Sequence, residues 1–257
     1  MPAQARWLLP KIETEQAALL AQAVGVQPPA ARVLYNRGYR DPEPARRFLN
    51  PSLADLHDPF LLKGMTAAVE RLRNAILAGE NILLYGDYDA DGTTAVVILK
   101  KAIDLAGGRA AFHLPHRLKE GYGMRAEVIE RAAAEGIKLL ITLDTGIRAA
   151  DVVGRARELG IDVIVTDHHL PDAELPPACA IVNPNQPDCA YPDKNLCGAG
   201  VAFKLIQGLL QSLGWPAAKR QRLRDFLSGH GIDVDRIAPL VDERFYSGFV
   251  RARKPRA

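Results

Sequence analysis

Three aspartates stand at alternate positions directly behind a short apolar run in the first half of the chain. The segment LLYGDYDADGTTA, residues 83–95, contains Asp87, Asp89 and Asp91. Carboxylates this close raise one another's proton affinity, and a cation among them would relieve the repulsion. The pattern alone is weak evidence for a metal, because a single Asp behind a strand is usually a helix cap or a turn residue.

Two further polar groups follow later apolar runs. Asp144 lies at the end of KLLITLDTG, and Asp167, His168 and His169 lie at the end of DVIVTDHH. Carboxylates with one or two imidazoles suit Mn²⁺ or Mg²⁺ better than zinc, which prefers more nitrogen or sulfur ligands. Two such ions about 4 Å apart would share one carboxylate and act on a phosphoryl group. The three groups together therefore predict a two-metal site.

The elements that must position these groups alternate between strand and helix from residue 81 onward. The predicted strands are 81–87, 109–115, 138–146, 162–169 and 179–185, and the predicted helices are 93–107, 124–136, 148–160 and 200–214. This alternation, with continuously apolar strands, is typical of an α/β fold whose parallel sheet has helices on both faces. The carboxyl ends of parallel strands line one crevice, so side chains about eighty positions apart are expected to meet there.

The first 64 residues have a different character, with short predicted helices between proline-marked breaks. Thr14 and Asp41 are candidate helix caps, residues 50–64 are a predicted connecting loop, and helical periodicity returns over 65–80. We therefore predict three segments, namely an N-terminal helical segment with its loop (1–64), an α/β domain (65–227) and a diverged basic tail that is a candidate for disorder (228–257).

Composition limits the class of protein. The 257 residues are 48% apolar and 25% charged, which allows a normal core and excludes a disordered chain. The three cysteines lack a CxxC spacing, so neither a disulfide framework nor a zinc site is expected. No signal peptide and no apolar run near the ~18 residues of a membrane span are present, so a cytoplasmic protein without a membrane partner is expected. Basic runs at 218–224 and 251–257 are usually solvated surfaces, with nucleic-acid contact as the alternative.

Four ordered motifs resemble those of the DHH phosphoesterase superfamily, namely GDYDADG, ITLDTG, VTDHH and LCGAGVAFKL. Three longer segments, at 32–51, 114–123 and 182–205, are similar to the RecJ family of single-strand-specific 5′→3′ DNA exonucleases. The likeness covers about residues 6–227. It implies a DHH phosphoesterase domain, Mn²⁺ or Mg²⁺ at a two-metal site, and single-stranded DNA as the partner. It also implies hydrolysis of phosphodiester bonds with release of 5′-mononucleotides, in DNA repair and recombination.

The resemblance also implies a role for each matching position. The implied metal ligands are Asp87, Asp89, Asp91, Asp144 and His168, with Asp87 either a ligand or a group just behind the ligands. Asp144 would bridge both ions and His169 would contact the scissile phosphate, so Asp144, His168 and His169 are the implied catalytic residues. Asp167 would orient an imidazole, as carboxylates commonly do near metal-bound histidine.

Other polar positions keep a plainer alternative. Arg117 is a candidate phosphate-binding residue, and Arg125 is another, but both residue types are equally common in surface salt bridges. The backbone amides of Gly198 and Gly200 are candidates for phosphate contact, with close helix–sheet packing as the rival explanation. Tyr122 is expected to pack at the rim more than to stack on a base. Thr93 and Thr94 are expected to cap a helix.

The resemblance ends near Leu227. RecJ-like chains continue with a segment whose Asp supplies another metal ligand, whereas DRIAPLVDE has Arg236 at that position and Asp235 beside it. The second domain and the OB-like module of complete relatives are also missing from the sequence. Loss of one carboxylate predicts weaker binding of at least one ion and impaired activity. A fragment, a frameshifted product and a naturally diverged chain all fit this end.

Three other functions remain open on the residues alone. A DHH enzyme can act on short oligonucleotides or cyclic dinucleotides, or as a phosphatase. DADGT also resembles the DxDGT of haloacid dehalogenase-like enzymes, where the first Asp is a nucleophile, but that pattern requires a later lysine and acidic pair where DHH stands. A non-catalytic remnant that binds nucleic acid or protein is the third.

Overall fold

The computed structural model describes residues 14–51, 55–119, 121 and 123–214. The chain divides into two compact units, one that ends at Asp55 and one that starts at Leu56. The predicted tail at 228–257, both basic runs, Tyr122 and the segment around Arg236 lie outside the described residues.

The first unit contains three short helices. They are α1 (Thr14–Val24), α2 (Pro28–Asn36) and α3 (Pro42–Leu49). Prolines in the first turns of α2 and α3 favour helix initiation, since they need no N–H partner there. Asp41 is the N-cap residue of α3, as predicted, although its side chain makes no capping hydrogen bond. Leu20, Leu34 and Ala45 form the buried centre of this unit.

The second unit follows the predicted alternation of strands and helices. Its elements are α4 (Met65–Ala78), β1 (Asn81–Gly86), α5 (Ala90–Leu105), β2 (Arg109–His113), α6 (Ala126–Ala134), β3 (Ile137–Leu143), α7 (Ala150–Glu158), β4 (Asp162–Thr166), β5 (Ala180–Val182) and α8 (Gly198–Ser212), with a 3₁₀ turn at Pro59–Leu61 before α4. Every predicted strand and helix of this unit is present, and the strands end earlier than predicted. Within the described part of the chain, no helix has an apolar stretch long enough to cross a membrane.

The five strands form one parallel sheet in the order β2-β1-β3-β4-β5. The chain moves outward from β1 to β2 and then returns to the other side of β1, so the strand order reverses between β1 and β3. Crevices at such reversals, beyond the carboxyl ends of the strands, are where open parallel sheets bind ligands. The fold therefore places any ligand near the residues that follow β1 and β3.

Helices cover both faces of the sheet, which explains the unbroken apolar strands. In β1, Ile82 and Leu84 belong to the core that α4, α5 and α8 complete. Leu83 and Tyr85 point the other way, into the core that α6 and α7 complete. Successive side chains of a strand alternate between faces, so a strand buried on both faces has no polar alternation. The predicted parallel sheet with helices on both faces is confirmed.

Candidate metal centre

Three neighbouring strands each deliver an aspartate to the same edge of the sheet. The parallel hydrogen-bond ladder continues one residue beyond each strand, and these last bonds run from Asp87 N to Leu143 O (3.1 Å), from Asp144 N to Thr166 O (3.0 Å) and from Asp167 N to Val182 O (3.1 Å). The three carboxylates therefore start from equivalent positions on adjacent chains. This is the meeting of distant residues that the topology predicted.

Two groups of potential metal ligands are found among the described residues. Asp144, His168 and His169 form one, and Asp87, Asp89 and Asp144 form the other, with the ligand atoms of each group within 4.8 Å of one another. Asp144 belongs to both groups. Asp144 is therefore the residue that would be available to both cations of a two-metal site.

Asp144 is held in an unusual state for a carboxylate. Its side chain is only 2% exposed, and its backbone φ of 62° lies in the left-handed region that residues other than glycine rarely adopt. Burial raises the pKa of Asp144 to about 6, against the opposing effect of His168 and with help from the nearby Asp91 and Asp89. Ionisation of the buried Asp144 side chain therefore costs free energy in the folded protein.

The Oδ1 atom of Asp144 is buried and has no hydrogen-bond partner among the described residues. Nε2 of His168 lies 3.1 Å from it, an approach that lacks hydrogen-bond geometry. An orphaned carboxylate oxygen beside an imidazole nitrogen, with two more acids nearby, is a donor set that fits a hard divalent cation such as Mn²⁺ or Mg²⁺.

Asp91 connects the first motif to the start of α8. Its Oδ2 accepts the N–H of Gly198 at 2.6 Å, and its Oδ1 accepts the N–H of Ala199 at 2.7 Å. Its carboxylate is also 3.8 Å from Nε2 of His168, but Asp91 belongs to neither ligand group. The predicted ligand role of Asp91 stays a prediction, and the structure adds a second use of the same side chain.

The two glycines predicted to bind phosphate also have partners inside the protein. The Gly198 amide is engaged by Asp91, and the Gly200 amide donates to Sγ of Cys197 at 3.4 Å. A Cβ atom at Gly198 would lie 2.5 Å from Cβ and Oδ1 of Asp144. Glycine at this position therefore permits close packing of α8 on the site, while phosphate contact by either amide stays a prediction.

The helix after β1 begins at Ala90, three residues earlier than predicted. Asp89 is its N-cap, and Oδ1 of Asp89 accepts the N–H groups of Asp91 and Gly92, both at 2.9 Å. The prediction that Thr93 and Thr94 cap this helix is wrong, because both hydroxyls lie within the first turn and donate to backbone carbonyls. One oxygen of Asp89 is thus used as a cap.

Asp87 is buried at the end of β1, and it accepts the Tyr88 N–H at 2.7 Å. Burial raises its pKa against the opposing Tyr88 hydrogen bond, and the charge of Asp89 raises it further.

Arg117, a predicted phosphate ligand, is exposed and lies with its guanidinium 5.2 Å from the centre of the Tyr88 ring. Arg125 is also exposed and is the N-cap residue of α6.

Asp167 holds the loop that carries the two histidines. Its Oδ1 lies 2.7 Å from Nδ1 of His169, and its Oδ2 accepts the Ile147 N–H at 3.0 Å. Burial opposes ionisation of Asp167, but the hydrogen bonds from His169 and Ile147 outweigh it and lower its pKa. Since an ionised carboxylate only accepts, Nδ1 of His169 carries the proton in this contact.

The two imidazoles have different anchors. The Asp144 carboxylate raises the pKa of His168 against the effect of burial. Asp167 does the same for His169, whose pKa the positive charge of Arg148 lowers in turn. Arg148 was not predicted from the sequence, and it belongs to the loop between β3 and α7.

Two asparagines that the sequence did not single out fix the backbone of the histidine loop. Nδ2 of Asn183 donates to the His169 carbonyl at 2.9 Å, and Nδ2 of Asn185 donates to the His168 carbonyl at 2.6 Å. Asn183 is fully buried, and its Oδ1 accepts the Asn185 N–H at 2.7 Å. Their only sequence signal is the VNPN at the end of the last predicted strand, and an uncharged amide in it indicates no chemistry.

The sheet order and the shared carboxylate define an α/β domain with a candidate two-metal site at one edge of its sheet. Residues 81–228, more than half of the chain, match the DHH family, N-terminal domain. The chain therefore belongs to the DHH family. The haloacid dehalogenase-like interpretation is not supported by this match.

Several of the similar proteins are RecJ exonucleases. Over 208 residues the chain is 43% identical to the single-stranded-DNA-specific exonuclease RecJ of Bacillus subtilis (strain 168). The aligned region covers 81% of this chain and 26% of that protein. The crystal structure of RecJ in complex with Mn²⁺ from Thermus thermophilus matches with a TM-score of 0.62 at 34% identity, over 79% of this chain and 28% of that one. The Mg²⁺ complex from the same organism matches with a TM-score of 0.53 at 29% identity, over 90% and 28%. The chain thus spans about a quarter of the length of these relatives.

Proposed function

We propose that this chain is the DHH domain of a RecJ-type nuclease that hydrolyses phosphodiester bonds of single-stranded DNA from the 5′ end with Mn²⁺ or Mg²⁺. The observation that carries this proposal is that Asp144 belongs to both groups of potential ligands. The names of the relatives support the substrate, and the two Thermus structures support the cations.

The residues divide the work of such a site between them. Asp87, Asp89 and Asp144 would hold one cation, and Asp144 with His168 would hold the other, beside Asp91. Two divalent cations held there would supply stabilisation of charge on phosphoryl oxygens and an activated water. The cations would add positive charge beside the buried Asp144, which otherwise has the His168 imidazole 3.1 Å away.

His169 is the proposed contact of the scissile phosphate. Asp167 holds the ring through Nδ1, and the Asn183 amide fixes the backbone that carries the ring. Arg117, already stacked on Tyr88 beside the acids, is a further proposed phosphate contact, and Gly198 and Gly200 retain that role as proposals. A part in DNA repair and recombination, and a cytoplasmic location, are further proposals on the family resemblance.

Digestion of 5′-labelled single-stranded DNA with Mn²⁺ tests the proposal. We expect labelled mononucleotides from the natural chain and none from Asp144→Asn or in EDTA. Asp104→Asn is the matched control, because Asp104 is an exposed acid near the end of α5, paired with Lys100. Equal product from Asp144→Asn would contradict the metal mechanism. Cleavage of dinucleotides without cleavage of longer strands would indicate the short-oligonucleotide phosphodiesterase instead.

A further inference from the structure

A lysine is fully buried in α8, a helix whose other buried residues are apolar or glycine. Lys204 has no exposed surface, and the next residue, Leu205, belongs to the core that α4 and α5 also form. A buried ammonium group is costly unless its charge is satisfied, and an apolar side chain of similar volume is often at least as stable in its place. The lysine therefore indicates a requirement other than packing.

The ammonium group of Lys204 has partners in three parts of the chain. Its Nζ donates to the His57 carbonyl at 3.0 Å and to Oε1 of Gln207 at 3.3 Å. It also lies 5.7 Å from the centre of the Tyr191 ring, within the range of a cation–π contact. The rings of His57 and Tyr191 meet edge to face, with their centres 5.7 Å apart. Lys204 thus connects α8 to the loop before α4 and to the segment before α8.

The segment that contains Tyr191, residues 183–197, runs between two sides of the candidate metal centre. Its first residue, Asn183, donates to the His169 carbonyl at 2.9 Å. Its last residue, Cys197, is the N-cap of α8. Tyr191 is fully buried between these two ends. A contact that fixes Tyr191 therefore restricts the path of the segment that supports His169.

We propose that Lys204 is a positioning residue for the histidine loop, and that it acts through Tyr191 and the 183–197 segment. The ammonium group requires a ring face and a carbonyl at fixed places, so it selects one path of this segment among several that an apolar side chain would accept. The expected effect on turnover rests on the proposed function. The expected effect on the placement of His169 does not.

Lys204→Met and Leu205→Met form a matched pair of substitutions. Both place methionine at a fully buried position of α8, but the second exchanges one apolar side chain for another of similar volume. We expect Lys204→Met to melt in EDTA at or above the temperature of the natural chain, because the buried charge is removed. Its turnover of single-stranded DNA at saturating Mn²⁺ should nevertheless fall about tenfold, since small displacements of positioned groups are costly. Leu205→Met should keep natural turnover.

NMR of the histidine rings in the metal-free protein reports the placement of His169 without any activity. His57 contacts Lys204 directly and is expected to shift in any case, so His169 is the informative signal. His113, at the end of β2 and against Tyr85, is the internal control. Lys204→Met should shift or double the His169 signal and leave that of His113 in place. Leu205→Met should leave both unchanged.

Two substitutions of Tyr191 test the same contact from its other side, and they decide the question if Lys204→Met does not fold. Tyr191→Leu removes the ring that faces the ammonium group, whereas Tyr191→Phe keeps it. The leucine variant should show the altered His169 signal and the loss of turnover. The phenylalanine variant should keep the natural His169 signal and most of the turnover.

A purely structural lysine would lower the melting temperature on substitution and leave the His169 signal in place. That result, or an equal change of the His169 signal in Leu205→Met, would overturn the positioning role. If the natural chain cleaves no DNA while the His169 signal still changes in Lys204→Met, the proposed function fails and the positioning role is kept. Cleavage by the natural chain with an unchanged His169 signal in Lys204→Met would reject the positioning role alone.

Discussion

Gly198, the first residue of α8, lies so close to Asp144 that a Cβ atom on the glycine would be 2.5 Å from the Oδ1 of the aspartate. The glycine is required by this approach and not by its own conformation, since its backbone φ is not in the left-handed region. The Gly198 amide donates to Asp91 at the same place. The start of α8 is thereby fixed between two acids of the candidate metal centre.

Substitution of Gly198 by alanine should therefore disturb the centre itself. The added methyl group must displace Asp144 or α8, so we expect a loss of about 1–3 kcal/mol in the free energy of unfolding, as for other overpacked sites. The affinity for Mn²⁺ should fall with it. Urea denaturation in EDTA and calorimetric titration with Mn²⁺ measure the two effects.

Gly154→Ala is the control for this substitution, because a Cβ atom there meets only Pro177 at 3.9 Å. Alanine inside α7 should leave Mn²⁺ binding unchanged and stabilise the protein by up to about 1 kcal/mol. If both variants were equally stable and bound Mn²⁺ equally, the close approach of Gly198 to Asp144 would affect neither stability nor Mn²⁺ affinity.

The bonds from Asp91 to α8 predict that this acid stabilises the protein without any metal. Two charge-assisted hydrogen bonds are lost in Asp91→Ala, so we expect a cost of about 2–3 kcal/mol in EDTA. Asp89→Ala also loses two hydrogen bonds, but both go to one oxygen of an exposed helix cap, so it should cost only about 1 kcal/mol. Urea denaturation of both variants in EDTA makes the comparison. If Asp91→Ala were at least as stable as Asp89→Ala, the hydrogen bonds from Asp91 to the start of α8 would not stabilise the protein as predicted.

The metal-free protein should lose stability as the pH rises. The pKa of Asp144 is about 6 in the folded protein against an ordinary value of 3.8, so the folded state binds this proton more tightly, and that stabilisation is lost as the pH rises through about 6. The pKa of His168 is also raised, which gives the same sign above 6.5. The pKa of Asp167 is lowered, so its effect lies at more acidic pH.

Denaturation in EDTA between about pH 5 and pH 8 measures this slope, of which Asp144 contributes about 1.4 kcal/mol, because the rest of its effect lies between its ordinary pKa and pH 5. Asp144→Asn removes the titrating group and should flatten the dependence. Saturating Mn²⁺ should reverse it, because metal binding requires the ionised carboxylate. Stability that increased with pH in EDTA, or an unchanged slope in Asp144→Asn, would refute the assignment of a costly buried charge to this residue.

The asparagine that supports the histidine loop should influence turnover more than its distance from the reaction suggests. Asn183→Ala leaves the His169 carbonyl and the Asn185 N–H without their partner, and a buried unsatisfied group costs about 1–3 kcal/mol. The looser loop should lower turnover of single-stranded DNA, as measured at saturating Mn²⁺.

Gln186→Ala offers a matched comparison for Asn183. Gln186 is a buried amide in the same segment, but its Nε2 donates to the Ile181 carbonyl at 2.8 Å and not to the histidine loop. It should lose similar stability and retain more turnover. Equal turnover in the two variants would show that Asn183 acts only on stability.

The sequence predicted the sheet and the meeting of the acids because both follow from local patterns. The apolar runs around Leu84 and Ile141 require helices on both faces, and parallel strand ends then bring Asp87 and Asp144 together. The contact between Asp91 and Gly198 joins residues more than a hundred positions apart and has no spacing signature.

The start of α5 and the support of the histidine loop were also beyond local patterns. In the structure Asp89 is the N-cap of α5 and Asp91 lies in the first turn of that helix. The sequence did not show which of the two acids would be the cap, because aspartate is a common N-cap at either position. Asn183 acts through a backbone carbonyl, so its residue type carries no hint of the site.

The adjacent histidines should differ when each is removed. His168 presents Nε2 to Asp144 at 3.1 Å, within the centre, so His168→Ala should weaken Mn²⁺ binding by about 10–100-fold and reduce turnover as a consequence. His169 is anchored by Asp167 through Nδ1, so His169→Ala should largely keep Mn²⁺ affinity while turnover falls by about 10²–10⁴-fold. Calorimetric titration with Mn²⁺ and digestion at saturating Mn²⁺ separate the two effects. Equal losses of Mn²⁺ affinity would place both imidazoles among the ligands and leave the phosphate contact to another residue.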